Sequence, residues 1–172
     1  TGNQSWQEQR KHRRVQAMAD NTDIVFLMET HGTPQKYAEF RRSLHRSHFV
    51  DFTMAHRADI GGVMVLHKKD FMPSATKSVH TVIPGRVLAL DIRAWNGNMM
   101  FIGVHLAIAA GEAITSELDF IRRLKEFVGR YSSTHGIFMV WDFNFSDPQD
   151  SIYQLADMAL RYREDHLHRL WW

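Results

Sequence analysis

The sequence predicts an α/β fold, a two-sheet β-sandwich flanked by helices. Three observations predict it: short apolar runs fit for buried strands lie near both ends, several turn-separated strands occupy the centre, and helical patterns with an apolar stripe stand between and outside them. With 172 residues, 44% of them hydrophobic, the chain can bury one core and gives no reason to expect two. No repeat, low-complexity tract or Pro/Gly/Ser-rich linker divides it, so residues 1–172 are read as one domain.

The first element is a helix over Gln7–Ala19, a stretch free of Gly and Pro. There Arg10, Lys11, Arg13 and Arg14 surround Val15 and Met18, the pattern of a basic surface helix. Asp23–Met28 follows as a strand whose lack of alternation suits burial on both faces, and it stops at Glu29. Pro34 opens a second helix, and Tyr37, Phe40 and Leu44 give it an apolar stripe as far as about Arg46.

Strands are expected over Phe49–Ala55, Gly62–Leu66, Val79–Ile83, Val87–Ile92 and Met99–Leu106. Gly61-Gly62, Pro84-Gly85 and Asn96-Gly97 mark turns between them, the last with the signature of a hairpin. Ile114, Leu118, Ile121, Leu124 and Val128 then recur at helical spacing, which predicts a long amphipathic helix over Glu112–Tyr131. A last strand, Ile137–Phe143, leads past Pro148 into a helical pattern that carries Ile152, Leu155 and Met158.

Composition narrows the function without fixing it. Twenty-one Lys and Arg against 19 Asp and Glu give a formal charge of +2, which permits a phosphate substrate without demanding one. The absence of cysteine removes disulfides and thiolate metal sites and fits a reducing compartment, hence an intracellular location, nuclear or cytoplasmic. No apolar run reaches the roughly 20 residues that span a bilayer, so no membrane association is expected, and the sequence points to no particular protein partner. The chain begins Thr1-Gly2-Asn3 and ends at Trp171-Trp172, two large apolar rings, and is expected to be a piece of something longer.

Three strands finish on polar groups. The period of two places Asp142 and Asn144 on one face with Val140, and Met139, Trp141 and Phe143 on the other. His105 shares a face with Gly103 and Phe101, opposite Ile102, Val104 and Leu106. Taken singly, Asp142 and Asn144 read as a turn, Glu29 as the point where a strand reaches water, and His105 as a hydrogen-bonded core residue. Taken together, they supply what a phosphodiesterase needs, because a hard divalent cation can be held by one or two carboxylates, waters and the substrate phosphate.

These segments resemble a known family. Asp23-Ile-Val-Phe-Leu-Met-Glu29-Thr-His31 resembles the strand ending in Gln-Glu-Thr/Val of the endonuclease/exonuclease/phosphatase family, and Trp141-Asp142-Phe143-Asn144 its Gly-Asp-Phe-Asn. Phe101-Ile-Gly-Val-His105-Leu106 is similar to the His-Leu or His-Ser strand of the branch that contains DNase I, sphingomyelinases and deadenylases. Gly61–Lys68 and Gly85–Asp91 resemble the intervening strands, nearest to those of endonucleases linked to reverse transcriptases, so the similarity runs from about Arg14 to Phe145.

The resemblance implies a DNase I-like four-layer sandwich, incomplete here. The family's opening strand with its Asn and its closing Asp-His motif have no counterpart, and Asp165-His166 stands in a charge-rich helical stretch read as a solvated face. Trp141 replaces the expected glycine. The implied cofactor is Mg²⁺ or Mn²⁺, with Glu29 as its ligand. Asp142 would orient or deprotonate the attacking water, and Asn144 would bind a phosphate oxygen. His105 would hold or protonate a phosphoryl oxygen, so that Asp142, Asn144 and His105 are catalytic and Asn144 and His105 also bind substrate.

The implied activity is metal-dependent hydrolysis of phosphodiester bonds by an endonuclease, with nucleic acid as substrate and DNA ahead of RNA. Arg10–Arg14 and Lys68-Lys69 would help to hold the polyanion. Two other readings stand beside it: a catalytically dead family fragment kept as a binding or interaction module, and a phosphatase or lipid phosphodiesterase built on the same sparse site.

Overall fold

A computed structural model of the chain describes residues 2–54, 61–106 and 115–143. Its elements are α1 (Gly2–Asn21), β1 (Ile24–Met28), α2 (Pro34–Leu44), β2 (His48–Thr53), β3 (Val63–Lys68), β4 (Thr76–Ile83), β5 (Val87–Ala94), β6 (Gly97–Leu106), α3 (Thr115–Tyr131) and β7 (His135–Phe143). They form one three-stranded sheet of order β1-β3-β2 and one four-stranded sheet of order β4-β5-β6-β7. All pairings are antiparallel except β6 with β7, which the α3 crossover makes parallel.

Alternation along each strand sorts the side chains into layers. On β3, Met64 and Leu66 face α1 and α2, where Ala19, Tyr37, Leu44 and Val50 are buried with them. Val63 and Val65 face the other way and meet Leu88, Leu90 and Ile92 of β5 in a core between the sheets. The far face of the second sheet, through Val87, Ala89, Ile102 and Val104, packs on Phe120, Leu124, Phe127 and Val128 of α3. Helix, sheet, sheet and helix thus make the four layers, and each fully buried Leu or Ile contributes about 1.5–3 kcal/mol.

Local signals set the element ends. Thr33 caps α2 by accepting the Lys36 N–H at 3.4 Å, with Pro34 in the first turn. Gly97, at φ 137°, closes the hairpin that pairs Ala94 with Gly97, as Asn96-Gly97 predicts. β1 is an edge strand of its sheet but is covered on both faces, which explains its unalternated sequence.

Some expectations are corrected. Leu118 belongs to the predicted stripe of α3 but is 80% exposed. At about 100° per residue it lies about 120° around the helix from Leu124, off the face that Leu124 and Val128 bury. The first helix reaches further in both directions than Gln7–Ala19, and β4 begins at Thr76 rather than Val79. Ala55, Ile114 and the helical pattern after Pro148 lie outside the described residues.

Candidate active site

Glu29, His105 and Asp142 meet where β1, β6 and β7 end. β1 ends at Met28, and the next residue turns into the left-handed region, Glu29 at φ 51° and His31 at φ 33°. Such a backbone costs a non-glycine residue about 1 kcal/mol or more and persists only when its surroundings impose it. Here they do: the Thr30 N–H donates to the Gly62 carbonyl and the His31 N–H to the Gly61 carbonyl, both at 3.2 Å. Thr30 Oγ1 and the Tyr37 hydroxyl share a hydrogen bond of 2.6 Å, and the Tyr37 ring stacks on Phe52.

Gly62 has to be glycine at this point. Its φ is +95°, and a Cβ there would stand 2.6 Å from Thr30 Oγ1 and 2.8 Å from the Tyr37 hydroxyl. Its own N–H donates to the Gly85 carbonyl at 2.9 Å, and Thr53 Oγ1 accepts the Gly85 N–H at 2.9 Å. The β4–β5 turn is thereby bound to the first sheet beside the site.

From the second sheet comes His105, fully buried near the end of β6. Its Nε2 lies 3.3 Å from Glu29 Oε1, so one polar contact spans the two sheets. The Glu29 side chain keeps 46% exposure, and the carboxylate therefore reaches solvent while the imidazole does not. Asp142 is the direct register partner of His105 in the parallel β6–β7 pair.

Burial is the largest influence on His105 and pushes its pKa below the ordinary 6.5, with the Arg86 cation acting in the same direction. The negative charges of Glu29 and Asp142 oppose that shift. Arg86 is a residue sequence reasoning assigned no role. It follows the Pro84-Gly85 turn, and its carbonyl accepts the His105 N–H at 2.8 Å. Its position directly after that turn was the available signal.

Trp141, the departure next to Asp142, is accommodated. It packs in the α3-facing cluster with Val104, Leu106 and Met139, on the opposite face of β7 from Asp142, so its ring does not crowd the carboxylate. The Lys68-Lys69 pair is not at the site. β3 runs antiparallel to β1, so Val63 pairs with Met28 and His67 with Ile24, and the two lysines stand at the far end of the sheet. Lys68 lies 3.5 Å from Asp23, and Lys69 Nζ donates to the His45 carbonyl. Asn144 and Asp165-His166 lie outside the described residues.

Among the described residues no three His, Asp or Glu side chains gather into a metal cage. The donor set at Glu29 fits a hard cation bound sparsely, through one carboxylate with waters and a phosphate supplying the remaining oxygens. No described helix is long and apolar enough to cross a membrane.

No protein-family model and no curated protein matches the chain. Solved structures do. The catalytic domain of human Nocturnin, solved with a bound sulfate anion, aligns at a TM-score of 0.57 with 14% identity, over 87% of this chain and 60% of that one. Truncated TDP2 of Caenorhabditis elegans aligns at 0.52 with 17% identity, over 81% of this chain and 58% of the other. Humanized D. rerio TDP2 gives 0.52 and 14%, over 86% and 58%. The fold is therefore DNase I-like, two sheets flanked by helices, as the resemblance implies. The chain spans about three-fifths of the length of these solved chains.

Proposed function

We propose that the chain carries the central part of a metal-dependent phosphodiesterase site, and that its substrate is nucleic acid cleaved internally. The observation that supports this most is the contact between Glu29 and His105 across the two sheets, with Asp142 beside His105 in register. Three polar groups from separate parts of the sequence reach one sheet end, on a fold shared with the Nocturnin catalytic domain and TDP2.

In this reading Glu29 holds a Mg²⁺ or Mn²⁺ ion through its solvent-facing carboxylate. When bound, the ion stabilises charge on phosphoryl oxygens and on the leaving alkoxide. His105, buried and with its pKa lowered, stays neutral at physiological pH. Its Nε2–H faces Glu29 and fixes that carboxylate's orientation, so the fully buried imidazole acts on the phosphate through Glu29 rather than by holding a phosphoryl oxygen itself. Asp142 orients the attacking water and accepts its proton, and Asn144 hydrogen-bonds a phosphate oxygen. Exposed Arg10, Lys11, Arg13 and Arg14 on α1 supply positive charge for a polyanion, and DNA is placed ahead of RNA.

The test is cleavage of a double-stranded DNA and of a single-stranded RNA by the chain with Mg²⁺, set against Asp142→Ala. Loss of cleavage in the variant by at least a hundredfold is expected. Equal residual activity in the two would overturn the assignment and leave a binding module on this fold.

A further inference from the structure

We propose a second ligand site at the opposite end of the sandwich from Glu29, a cavity between β2, β3 and β4 that takes a small organic anion with a flat apolar body. The cavity has a volume of 530 Å³, within the range of roughly 300–1,000 Å³ of small-molecule sites. It is remote from the Glu29–His105 contact, because His67 pairs with Ile24 at the start of β1 and Glu29 follows its end.

The walls argue for this ligand class. His67 lines the cavity, is 3% exposed, and its Nδ1 has no hydrogen-bond partner. A buried polar atom left without a partner costs about 1–3 kcal/mol; His67 Nδ1 is itself closed to solvent, and a ligand atom bonds it once the ring turns toward the cavity. Burial also lowers the His67 pKa, with Lys77 and His48 acting in the same direction against the Lys68 backbone and Asp51, so the ring is neutral and can complement a polar ligand atom without adding charge.

Charge in the cavity favours an anion. Lys69 and Lys77 line it against a single carboxylate, Asp51. Lys77 Nζ is held at the rim by donating to the Met72 carbonyl at 3.1 Å, which leaves its other protons for a ligand. Phe49, Pro73, Ala75 and Val79 supply the apolar part of the wall, with Ser78 among them. The Phe49 ring lies 5.1 Å from the His67 ring, with Lys69 Nζ 5.3 Å from its centroid, and it remains 46% exposed. A half-exposed ring beside cations suits a planar body carrying one carboxylate or phosphate.

The experiment is an NMR titration of the whole chain with benzoate, adenosine monophosphate, inorganic phosphate and benzylamine as probes. Saturable shifts of the His67 and Phe49 ring signals are expected with benzoate or adenosine monophosphate, and none with inorganic phosphate or benzylamine. A response to adenosine monophosphate well above that to benzoate assigns a nucleotide phosphate as the anion, and equal responses assign planar anions in general. Lys77→Met is expected to weaken binding about tenfold and His67→Phe to abolish it, while Asp142→Asn leaves it intact. The proposal is overturned if neither ring-bearing anion gives saturable shifts, or if benzylamine or inorganic phosphate binds equally well. Unchanged binding in Lys77→Met, or loss of binding in Asp142→Asn, overturns it as well.

Discussion

Phe26 of β1 lies so close to Gly103 of β6 that a Cβ on the glycine would stand 2.3 Å from the Phe26 ring. The missing side chain lets the sheets approach at this point, two residues before His105 and three before Glu29, and so sets the reach of the 3.3 Å contact between them. Gly103→Ala is expected to destabilise the fold by about 1–3 kcal/mol through overpacking. Phe26→Leu in the same chain should restore part of that loss. Urea unfolding midpoints check both, and a Gly103→Ala variant as stable as the parent would show that the sheets can separate freely.

Glu29 raises the His105 pKa by its charge and by its hydrogen bond, against a larger effect of burial. Replacing it by Gln removes the charge and leaves the burial. Glu29→Gln should therefore titrate His105 at a lower pH than the parent does, as read from imidazole NMR signals. On the proposed function, the same variant should also lose divalent-dependent phosphodiester cleavage by at least a hundredfold. A His105 pKa that rises or stays fixed would show that the two side chains do not interact in solution.

Much of this arrangement was legible in the sequence because strand period and motif order carry it. The alternation that set Asp142 against Trp141 and His105 against Val104 fixed their faces, and the structure keeps those faces. What the sequence could not show was depth. Nothing local distinguishes the half-exposed Glu29 from the fully buried His105, because burial depends on how two sheets stack. The same holds for Asp91, the end of a resembling strand, which is fully buried and bonded to His135 Nε2 at 3.1 Å across 44 residues of chain. Lys68-Lys69 looked like a partner of the site because sequence gives no sense of which strand end is which.

Acid should weaken the fold in a defined window. His105 and His67 both have pKa values lowered from 6.5, chiefly by burial. About one pH unit above 6.5 both are neutral in the folded and unfolded chain, and their contribution to stability is complete. As pH falls below 6.5 the unfolded chain binds protons first, so stability declines through the folded-state values and levels off below them. Each histidine contributes up to about 1.4 kcal/mol per pH unit within that window. Urea unfolding between pH 8 and 5 should be flat at the alkaline end and fall below 6.5, and His67→Phe should reduce the slope, by at most one proton. An unchanged slope in that variant would mean that His67 does not titrate differently on folding.

Self-association follows from the sheet edges. Among the described residues β1 and β7 each have one neighbouring strand, and they end their sheets on the same side of the sandwich, where β1 packs over β6. On β7, Phe138 and Val140 are 51% and 49% exposed, although they share the face of Asp142 that looks between the sheets. Phe138 stacks on Phe101 and leaves its other side open. An apolar stripe beside free backbone N–H and C=O groups invites a strand from another molecule. Sedimentation velocity is expected to show concentration-dependent association of the chain, and Val140→Lys to reduce it, because a buried lysine opposes strand addition while an edge lysine is tolerated. A parent chain that stays monomeric at high concentration would show that this edge is already covered.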